Sequence, residues 1–168
     1  MDCRGSEKRF CHGYCKPEFV MAEIGVYQGE STSWFAAACK TVHAIDPHPD
    51  SGVPTASSEG LIIDQRPILA RMMFEQRCRI HKNVVYHRMT SESAISLFPD
   101  ASLDLVYIDG DHACEAAKQD IILWKPKIKK GGFLSGHDYA LKGVRQAITD
   151  TMGKPIEIFK DNSWVFEL

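Results

Sequence analysis

Short apolar runs and helical segments alternate along nearly the whole sequence, and this alternation restricts the possible folds more than any other feature. Seven runs have the length and the flanking turn residues of β-strands, and they cover 19–26, 41–46, 83–89, 103–108, 133–136, 156–159 and 164–168. Segments with helical spacing lie between them at 31–40, 67–81, 91–98, 113–128 and 143–152. Such alternation is typical of a mostly parallel sheet covered by helices on both faces. We therefore expect an α/β three-layer sandwich whose seven-stranded, mostly parallel sheet ends in an antiparallel C-terminal hairpin.

The pattern fits one folded unit that follows a short leading segment. We expect residues 1–18 to form an N-terminal arm and residues 19–168 to form a single domain, because 168 residues are typical of one domain. The polar segment 48–66 contains serine, glycine and proline and is interpreted as a long loop, which in a compact domain is usually functional or mobile. Pro126 should break the preceding helix, and Gly131-Gly132 should separate that helix from the next strand.

Charge and hydropathy exclude several classes of protein. The chain has 22 acidic and 20 basic side chains and a formal net charge of −2, whereas general nucleic-acid binders carry a basic excess. No apolar run approaches the ~18 residues of a membrane span. The sequence starts with charged residues and has no apolar leader of the secretory type. We therefore expect a cytoplasmic protein that binds neither nucleic acid nor membranes.

The chain contains six cysteines, which we expect to be free thiols because nothing indicates secretion. Two of them, Cys11 and Cys15, lie close to His12 in the leading segment. These three residues could bind zinc, but no second cysteine pair completes the usual set of four ligands. A plain arm with free thiols is the favoured interpretation, and the zinc site is the alternative.

Polar residues follow the apolar strands where each strand ends. They are Glu23, Gly25, Asp46, Thr90, Ser91, Asp109, His112, His137 and Asp138. In an open α/β sheet, ligands bind beyond the carboxyl ends of the strands, at the point where the strand order reverses. The sequence therefore predicts one binding site at this edge of the sheet.

The loop after the first strand indicates which ligand is expected there. Gly25 and Gly29 allow the backbone to approach a ligand closely, and the following helix offers its N-terminal amides. The loop lacks the middle glycine of the Gly-x-Gly-x-x-Gly dinucleotide motif, and Tyr27 would crowd a diphosphate. Glu23 favours a ligand with a positive group, and Asp46, 23 positions later, is suitably placed to bind ribose hydroxyls.

These motifs together resemble the class I S-adenosylmethionine-dependent methyltransferases. The first half of the resemblance lies in Ala22-Glu23-Ile24-Gly25-Val26, Gly29, Ser31-Thr32 and Ile45-Asp46-Pro47. The second half lies in Tyr107-Ile108-Asp109-Gly110-Asp111-His112, Trp124, Pro126, Gly131-Gly132 and Gly136-His137-Asp138-Tyr139. This second half is similar to a branch of small-molecule O-methyltransferases of the macrolide and sugar type, which are related to the catechol type. The resemblance covers residues 19–168 and implies a Rossmann-like fold.

The resemblance also implies a cofactor and the residues that contact it. The cofactor would be S-adenosylmethionine, with its methionine portion near the first loop, its ribose near the second strand and its adenine near the third. The implied contacts are Glu23, Gly25, Tyr27, Gly29, Ser31, Asp46, Thr90, Ser91 and Asp109.

Metal-dependent members of this branch bind a divalent cation with acids that follow the fourth and fifth strands. The corresponding residues here are Asp109 and Asp138, with His137 beside the latter, and such a set suits Mg²⁺ or another divalent cation. His137 and His112 are the candidate catalytic bases, because a histidine with a near-neutral pKa can accept the proton of the methyl acceptor. The chain departs from the branch at His137, where relatives have a second acid, and at Cys114, where they have tyrosine.

The sequence leaves three functions open. The first is O-methylation of a small-molecule hydroxyl, the second a non-catalytic S-adenosylmethionine-binding module, and the third a nicotinamide-dependent dehydrogenase. Few residues are left over for an acceptor domain, since 18 residues precede the first strand and only three separate Tyr139 from the last helix. The acceptor site would then be open, closed by the segment 48–66, or completed by a second subunit, and we expect a homodimer or a larger homo-oligomer.

Overall fold

The structure, a computed structural model, describes residues 7–57 and 60–168. Its helices are α1 (Glu7–Tyr14), α2 (Glu30–Ala38), α3 (Arg66–Cys78), α4 (Ser91–Ala94), α5 (Cys114–Trp124) and α6 (Lys142–Thr151). Its strands are β1 (Val20–Ile24), β2 (Thr41–Ile45), β3 (Val53–Ser57), β4 (Gly60–Asp64), β5 (Val84–His87), β6 (Leu103–Ile108), β7 (Ile128–Gly136), β8 (Glu157–Ile158) and β9 (Trp164–Glu167). Within these ranges, no helix has both the length and the apolar character needed to cross a membrane.

Seven of the strands form one sheet in the order β5-β2-β1-β6-β7-β9-β8. The first five of these strands are parallel to one another, and β9 is antiparallel to both of its neighbours. This arrangement confirms the predicted fold class. From β1, the strands β2 and β5 follow one another toward one edge of the sheet, whereas β6 lies on the other side of β1 and β7 follows it toward the other edge. The strand order therefore reverses between β1 and β6.

Helices cover both faces of the sheet because neighbouring strand residues point to opposite faces. Ala22 faces a core that includes Ile121 and Trp124 of α5, all almost fully buried. Met21 faces the other core, where Phe10 of α1 and Phe35 of α2 pack against the sheet. The sheet is therefore buried on both sides, and its strand ends are left as the accessible edges.

The segment predicted as a long loop contains the hairpin β3–β4, in which Val53 pairs with Asp64 and Ser57 with Gly60. The loop interpretation was wrong because serine, glycine and Pro54 obscure the strand pattern. In a two-stranded ribbon both strands are edges, and an edge tolerates a residue without an N–H donor.

Strand β7 is the other departure from the expected elements. It begins at Ile128 and runs through Gly131-Gly132 instead of starting at residue 133. The register with β6 shifts in this region, and Gly131 has a φ of 77°, which glycine adopts without strain. The expected break at Pro126 is confirmed, since α5 ends at Trp124 and a single 3₁₀ turn follows.

Most of the described part of the leading segment forms helix α1, Glu7–Tyr14. Helix α1 places Phe10 in the core at 1% exposure and brings Cys11 into the same cluster. Residues 1–6, which include Cys3, lie outside the described part of the chain.

Candidate functional site

A pocket of about 840 Å³ opens at the carboxyl ends of the parallel strands, where the strand order reverses. The loops after β1, β2, β5, β6 and β7 line it, together with one side of α5. This is the position that the topology of an open α/β sheet favours for a ligand.

The loop after β1 depends on glycine to approach its neighbour. Gly25 has a φ of 80°, and a Cβ atom at this position would lie 2.2 Å from the backbone oxygen of Asp109. No side chain fits at that distance, so the loops after β1 and β6 touch through their backbones. Tyr27 follows with a φ of 43° and exposes 56% of its surface at the mouth of the pocket.

Asp46 fixes the conformation of this loop. Its Oδ2 accepts hydrogen bonds from the backbone N–H groups of Val26 at 3.1 Å and Tyr27 at 3.0 Å. Its Oδ1 accepts a third from the backbone N–H of His48 at 3.0 Å. A carboxylate can accept about four hydrogen bonds, so Asp46 can still bind a ligand in the pocket that it lines.

His48 supports the same loop from behind, although it lies in no motif of the sequence. The side chain is buried, with Nε2 at 2.7 Å from the backbone oxygen of Tyr27 and Nδ1 at 2.5 Å from the hydroxyl of Tyr86. A carbonyl can only accept, so Nε2 carries a proton, and Nδ1 faces the Tyr86 hydroxyl. The contact is nonlocal, so no motif could have revealed it.

Glu23 lies outside the pocket lining. It is fully buried, and its carboxylate accepts hydrogen bonds from the Ser31 hydroxyl and, at 2.6 Å, from the Thr32 hydroxyl. Gly29 is also outside the pocket lining. It caps α2 with a φ of 75° and packs against Phe74, which a Cβ atom at this position would approach to 2.7 Å. The structure therefore places three of the predicted cofactor contacts, Glu23, Gly29 and Ser31, beneath the loop as its support.

Thr90 and Ser91 lie on the opposite wall, as expected for residues that follow β5. Thr90 caps α4 by accepting a hydrogen bond from the backbone N–H of Ser93. Ser91 donates to Asp120 Oδ1 at 2.5 Å and accepts from the indole N–H of Trp124 at 2.8 Å. Burial raises the pKa of Asp120, and the Ser91 hydroxyl partly opposes this effect.

Asp120 is a lining residue that the motifs did not identify. A signal was present in the sequence, since Asp120 lies three residues after Ala117 and four before Trp124, on the apolar face of α5. A carboxylate on the buried face of a helix needs a polar partner or a ligand.

Four titratable side chains meet where β6 and β7 end. Asp138 is central, because its Oδ2 lies 2.8 Å from His112 Nε2 and its Oδ1 lies 3.2 Å from His137 Nδ1. Asp109 Oδ1 lies 3.8 Å from His112 Nε2. The four side chains are 24–48% exposed, so solvent or a substrate can reach them. All four were predicted site residues, and the structure brings them together.

The charges in this cluster affect one another. Burial raises the pKa of Asp109 to about 6, and Asp138 adds to the increase, whereas His137 and His112 lower the pKa. Ligand atoms of Asp109, His137 and Asp138 all lie within 4.8 Å of one another. Two carboxylates and an imidazole at this spacing form a donor set that fits a divalent cation, whose charge would favour the ionised form of Asp109.

The pocket as a whole is strongly acidic. Its lining contains the carboxylates of Asp46, Glu92, Asp109, Asp111, Asp120 and Asp138. Two histidines also line it, and the lining includes no lysine or arginine among the described residues. Such a site favours a cationic ligand and disfavours a diphosphate.

Comparison with known proteins identifies relatives of this architecture. Residues 22–139 match the family model described as a methyltransferase domain. The matched range begins in β1 and ends just after His137-Asp138, so it contains all the residues that line the pocket. No curated protein sequence is similar enough to match the chain.

Solved structures share the fold at low sequence identity. An rRNA methylase from Streptococcus thermophilus is 12% identical, with a TM-score of 0.61 over 94% of this chain and 90% of that one. SMU.1697c from Streptococcus mutans, in complex with S-adenosylhomocysteine, is 11% identical, with a TM-score of 0.62 over 96% of each chain. The TDP-rhamnose 3′-O-methyltransferase CalS11 of calicheamicin biosynthesis is 15% identical, with a TM-score of 0.60 over 89% of this chain and 72% of that one.

Proposed function

Since the chain belongs to the methyltransferase-domain family, we propose that it transfers the methyl group of S-adenosylmethionine to a hydroxyl group of a small molecule. The observation that carries the proposal is the acidic pocket at the reversal of strand order, with six carboxylates and neither lysine nor arginine in its described lining. S-adenosylmethionine carries a sulfonium and an ammonium, which this charge favours. NAD carries a diphosphate, which it disfavours.

The cofactor would lie along the three loops that the sequence singled out. Asp46 would accept the ribose hydroxyls, with Gly25 and Tyr27 beside the methionine portion. Thr90 and Ser91 would border the adenine, and Asp120 could accept from its amino group. Asp109 would lie near the sulfonium. Glu23, Gly29 and Ser31 would shape the loop without direct contact.

The residues after β6 and β7 would remove the acceptor proton. Methyl transfer is an in-line displacement in which the acceptor oxygen attacks the methyl carbon and S-adenosylhomocysteine leaves. Asp138, facing His137 Nδ1 at 3.2 Å, would hold that nitrogen protonated and leave Nε2 free to take the proton. Asp138 also stabilises the imidazolium that forms, so we assign His137 as the base.

A divalent cation fits the same cluster, held by Asp109, His137 and Asp138. When bound, it would lower the pKa of the acceptor hydroxyl and orient it. Ligation would occupy His137, so His112 would then be the imidazole available for the proton. The two arrangements differ in one measurable property, the response to chelation.

Binding is the first test of the proposal. Calorimetry should show saturable binding of S-adenosylhomocysteine and none of NAD, and Asp100→Asn, an exposed control outside the pocket, should bind normally. Saturable NAD binding without S-adenosylhomocysteine binding would contradict the proposal and favour a dehydrogenase.

Activity is the second test. Radiolabelled S-adenosylmethionine should transfer its methyl group to members of a panel of catechols and sugars. Loss of transfer with EDTA, restored by Mg²⁺, would support the cation, and loss of metal binding in Asp138→Asn would locate it. Cofactor binding with no transfer to any hydroxyl would instead favour a non-catalytic binding module.

We also propose a homodimer or larger assembly that completes the acceptor site. Support comes from apolar side chains left exposed on β4 and α3, where Ile63, Leu69 and Met72 are 53%, 55% and 57% exposed. Sedimentation should show a mass above that of one chain, and a monomer at micromolar concentration would contradict it.

A further inference from the structure

Three thiols meet at the edge of the sheet opposite to the pocket. Cys11 lies in α1 and Cys15 directly follows it, whereas Cys39 ends α2 just before β2 begins. Cys11 and Cys39 are buried, and Cys15 is half-buried. A cavity of about 360 Å³ is lined by all three thiols together with Pro17, Ala37 and Ala38. The thiols therefore share one small space that a small molecule can enter.

Cys15 connects the three thiols. Its side chain interacts with those of both Cys11 and Cys39, and these interactions, with burial, raise its pKa. The Cys15 thiol and the backbone N–H of Lys16 lower the pKa of Cys39 against the opposing effect of burial. Cys39 is thus the thiol whose surroundings favour a thiolate, with a second thiol in contact with it.

The remaining described cysteines differ from this arrangement. Burial raises the pKa of Cys78 to about 11, and the nearby charge of Glu23 adds to the increase. Cys114 is the first residue of α5, on the pocket side of the sheet. All five described cysteines are free thiols. These two residues therefore serve as internal references for thiol reactivity.

We propose that Cys39 and Cys15 form a dithiol that a hydroperoxide oxidises to a disulfide. In the first step the Cys39 thiolate attacks the peroxide, an S–O bond forms, the O–O bond breaks, and the leaving oxygen takes a proton. In the second step the Cys15 sulfur attacks Cys39, its proton joins the departing hydroxide, and water leaves as the S–S bond forms. One peroxide accepts two electrons, and a dithiol reductant reverses the change.

The position of the bond predicts what it does not affect. It would join the segment after α1 to the carboxyl end of α2, whereas the cofactor loop precedes the amino end of α2. The pocket is built at the other edge of the sheet, so we expect oxidation to leave the affinity for S-adenosylhomocysteine within about twofold of the reduced value. The disulfide proposal therefore does not depend on the proposed function.

Peptide mapping tests the pairing directly. The reduced full chain is treated with equimolar hydrogen peroxide, alkylated, and cleaved with a glutamyl protease under non-reducing conditions. Trypsin is unsuitable, because the Lys16-Pro17 bond resists it and all three thiols stay on the fragment 10–40. Cleavage after glutamate puts Cys11 and Cys15 on 8–18 and Cys39 on 31–59. We expect these fragments to be linked, with a mass loss of about 2 Da that a dithiol restores.

Single variants distinguish the partners. Cys15→Ser should abolish the link and leave Cys39 as the sulfenic acid, which a second equivalent of peroxide would oxidise to the sulfinic acid, whereas Cys11→Ser should retain the link. In the unsubstituted chain, which needs no variant to fold, Cys39 should be consumed about tenfold faster than Cys78. The proposal is overturned if the link persists in Cys15→Ser, if the bond joins Cys11 to Cys15, or if Cys39 and Cys78 react at the same rate.

Discussion

The two ends of the pocket are built in different ways. At the cofactor end, backbone N–H groups of Val26, Tyr27 and His48 all donate to the Asp46 carboxylate. At the other end, Asp138 is held by two histidine rings and no backbone donor is among its recorded hydrogen bonds in the described chain. Backbone donors do not titrate, whereas imidazoles do. The first end is therefore held mainly by backbone groups, with one buried imidazole behind them, whereas the second is held by side chains alone.

This contrast matches the demands of methyl transfer. A cofactor site gains affinity when its loops are fixed before binding, because less conformational freedom is lost on association. A base must change its protonation state in each cycle, and partial exposure allows the proton to leave. The largest effects on turnover should thus come from the second end, and the largest effects on affinity from the first.

Replacing the shared carboxylate should produce the largest effect of all. Asp138→Asn removes the charge that orients both histidines, and we expect the methyl-transfer rate to fall about 10³-fold. Asparagine tolerates the φ of 59° found here, so the backbone should keep its course. Affinity for S-adenosylhomocysteine should change by less than about threefold, since the cofactor loops are untouched.

The measurement is a steady-state rate at saturating cofactor together with calorimetry on the same preparation. Asp100→Asn, which removes a surface carboxylate 73% exposed, should change neither value. A loss of cofactor affinity in Asp138→Asn as large as the loss of rate would show that the two ends are not separable.

Asp46→Ala should have the converse effect. Three backbone N–H groups lose their acceptor, and we expect the dissociation constant of S-adenosylhomocysteine to rise about 100-fold, because each hydrogen bond to a charged group contributes roughly 1.5–3 kcal/mol. The rate at saturating cofactor should fall by much less. Titration calorimetry and initial rates measure the two quantities, and an unchanged dissociation constant would remove Asp46 from the cofactor site.

The two ends also differ in how well the sequence predicts them. Strand β6 lies at 103–108 as expected, because a continuous apolar run that stops at Asp109-Gly110 has few alternatives. The four titratable residues follow strand ends, so the topology alone brought them together. The cofactor loop is set by contacts that no motif shows, as the buried ring of His48 illustrates.

Local composition explains the other departures. Hairpin β3–β4 was missed because its strands are short and Pro54 interrupts the first. Glu23 was expected to face the cofactor. The sequence does not reveal that α2 places the Ser31 and Thr32 hydroxyls where both donate hydrogen bonds to the Glu23 carboxylate. Sequence therefore located the site more reliably than it assigned the role of each residue in it.

His48→Ala tests the hidden support of the cofactor loop and should have a smaller effect than Asp46→Ala. The loop loses one side-chain contact to Tyr27 but retains Asp46, so we expect S-adenosylhomocysteine to bind about tenfold more weakly, equivalent to ~1.4 kcal/mol. Calorimetry measures the affinity. The matched control is His81→Ala, which alters a histidine in the turn between α3 and β5. Equal affinities in the two variants would show that His48 does not position the loop.

The smallest expected effect is on the pH dependence of stability, and it concerns a second pair of histidines that has no carboxylate between its rings. His43 Nδ1 lies 2.9 Å from His87 Nε2 on neighbouring strands, so at least one ring must be neutral to accept. Burial lowers the pKa of both rings below the ordinary value of 6.5, and His87 lowers that of His43 further. In the His112–His137 pair, by contrast, a carboxylate lies between the rings, with Asp138 Oδ2 2.8 Å from His112 Nε2 and Oδ1 3.2 Å from His137 Nδ1.

The lowered pKa values determine the sign of the pH dependence. Below about pH 6.5 the unfolded chain binds protons that the folded His43–His87 pair resists, so the free energy of unfolding decreases as the pH falls. Above this pH both states are neutral, and the contribution is fully present. Urea unfolding at two pH values on either side of 6.5 measures the difference, and His87→Asn should reduce it because one of the two titrating rings is gone. Burial raises the pKa of Asp109 to about 6, in the same range, so the comparison must be made between variants. His81→Asn should retain the full difference in the free energy of unfolding between the two pH values. An unchanged difference in His87→Asn would show that the proton uptake occurs outside the His43–His87 pair.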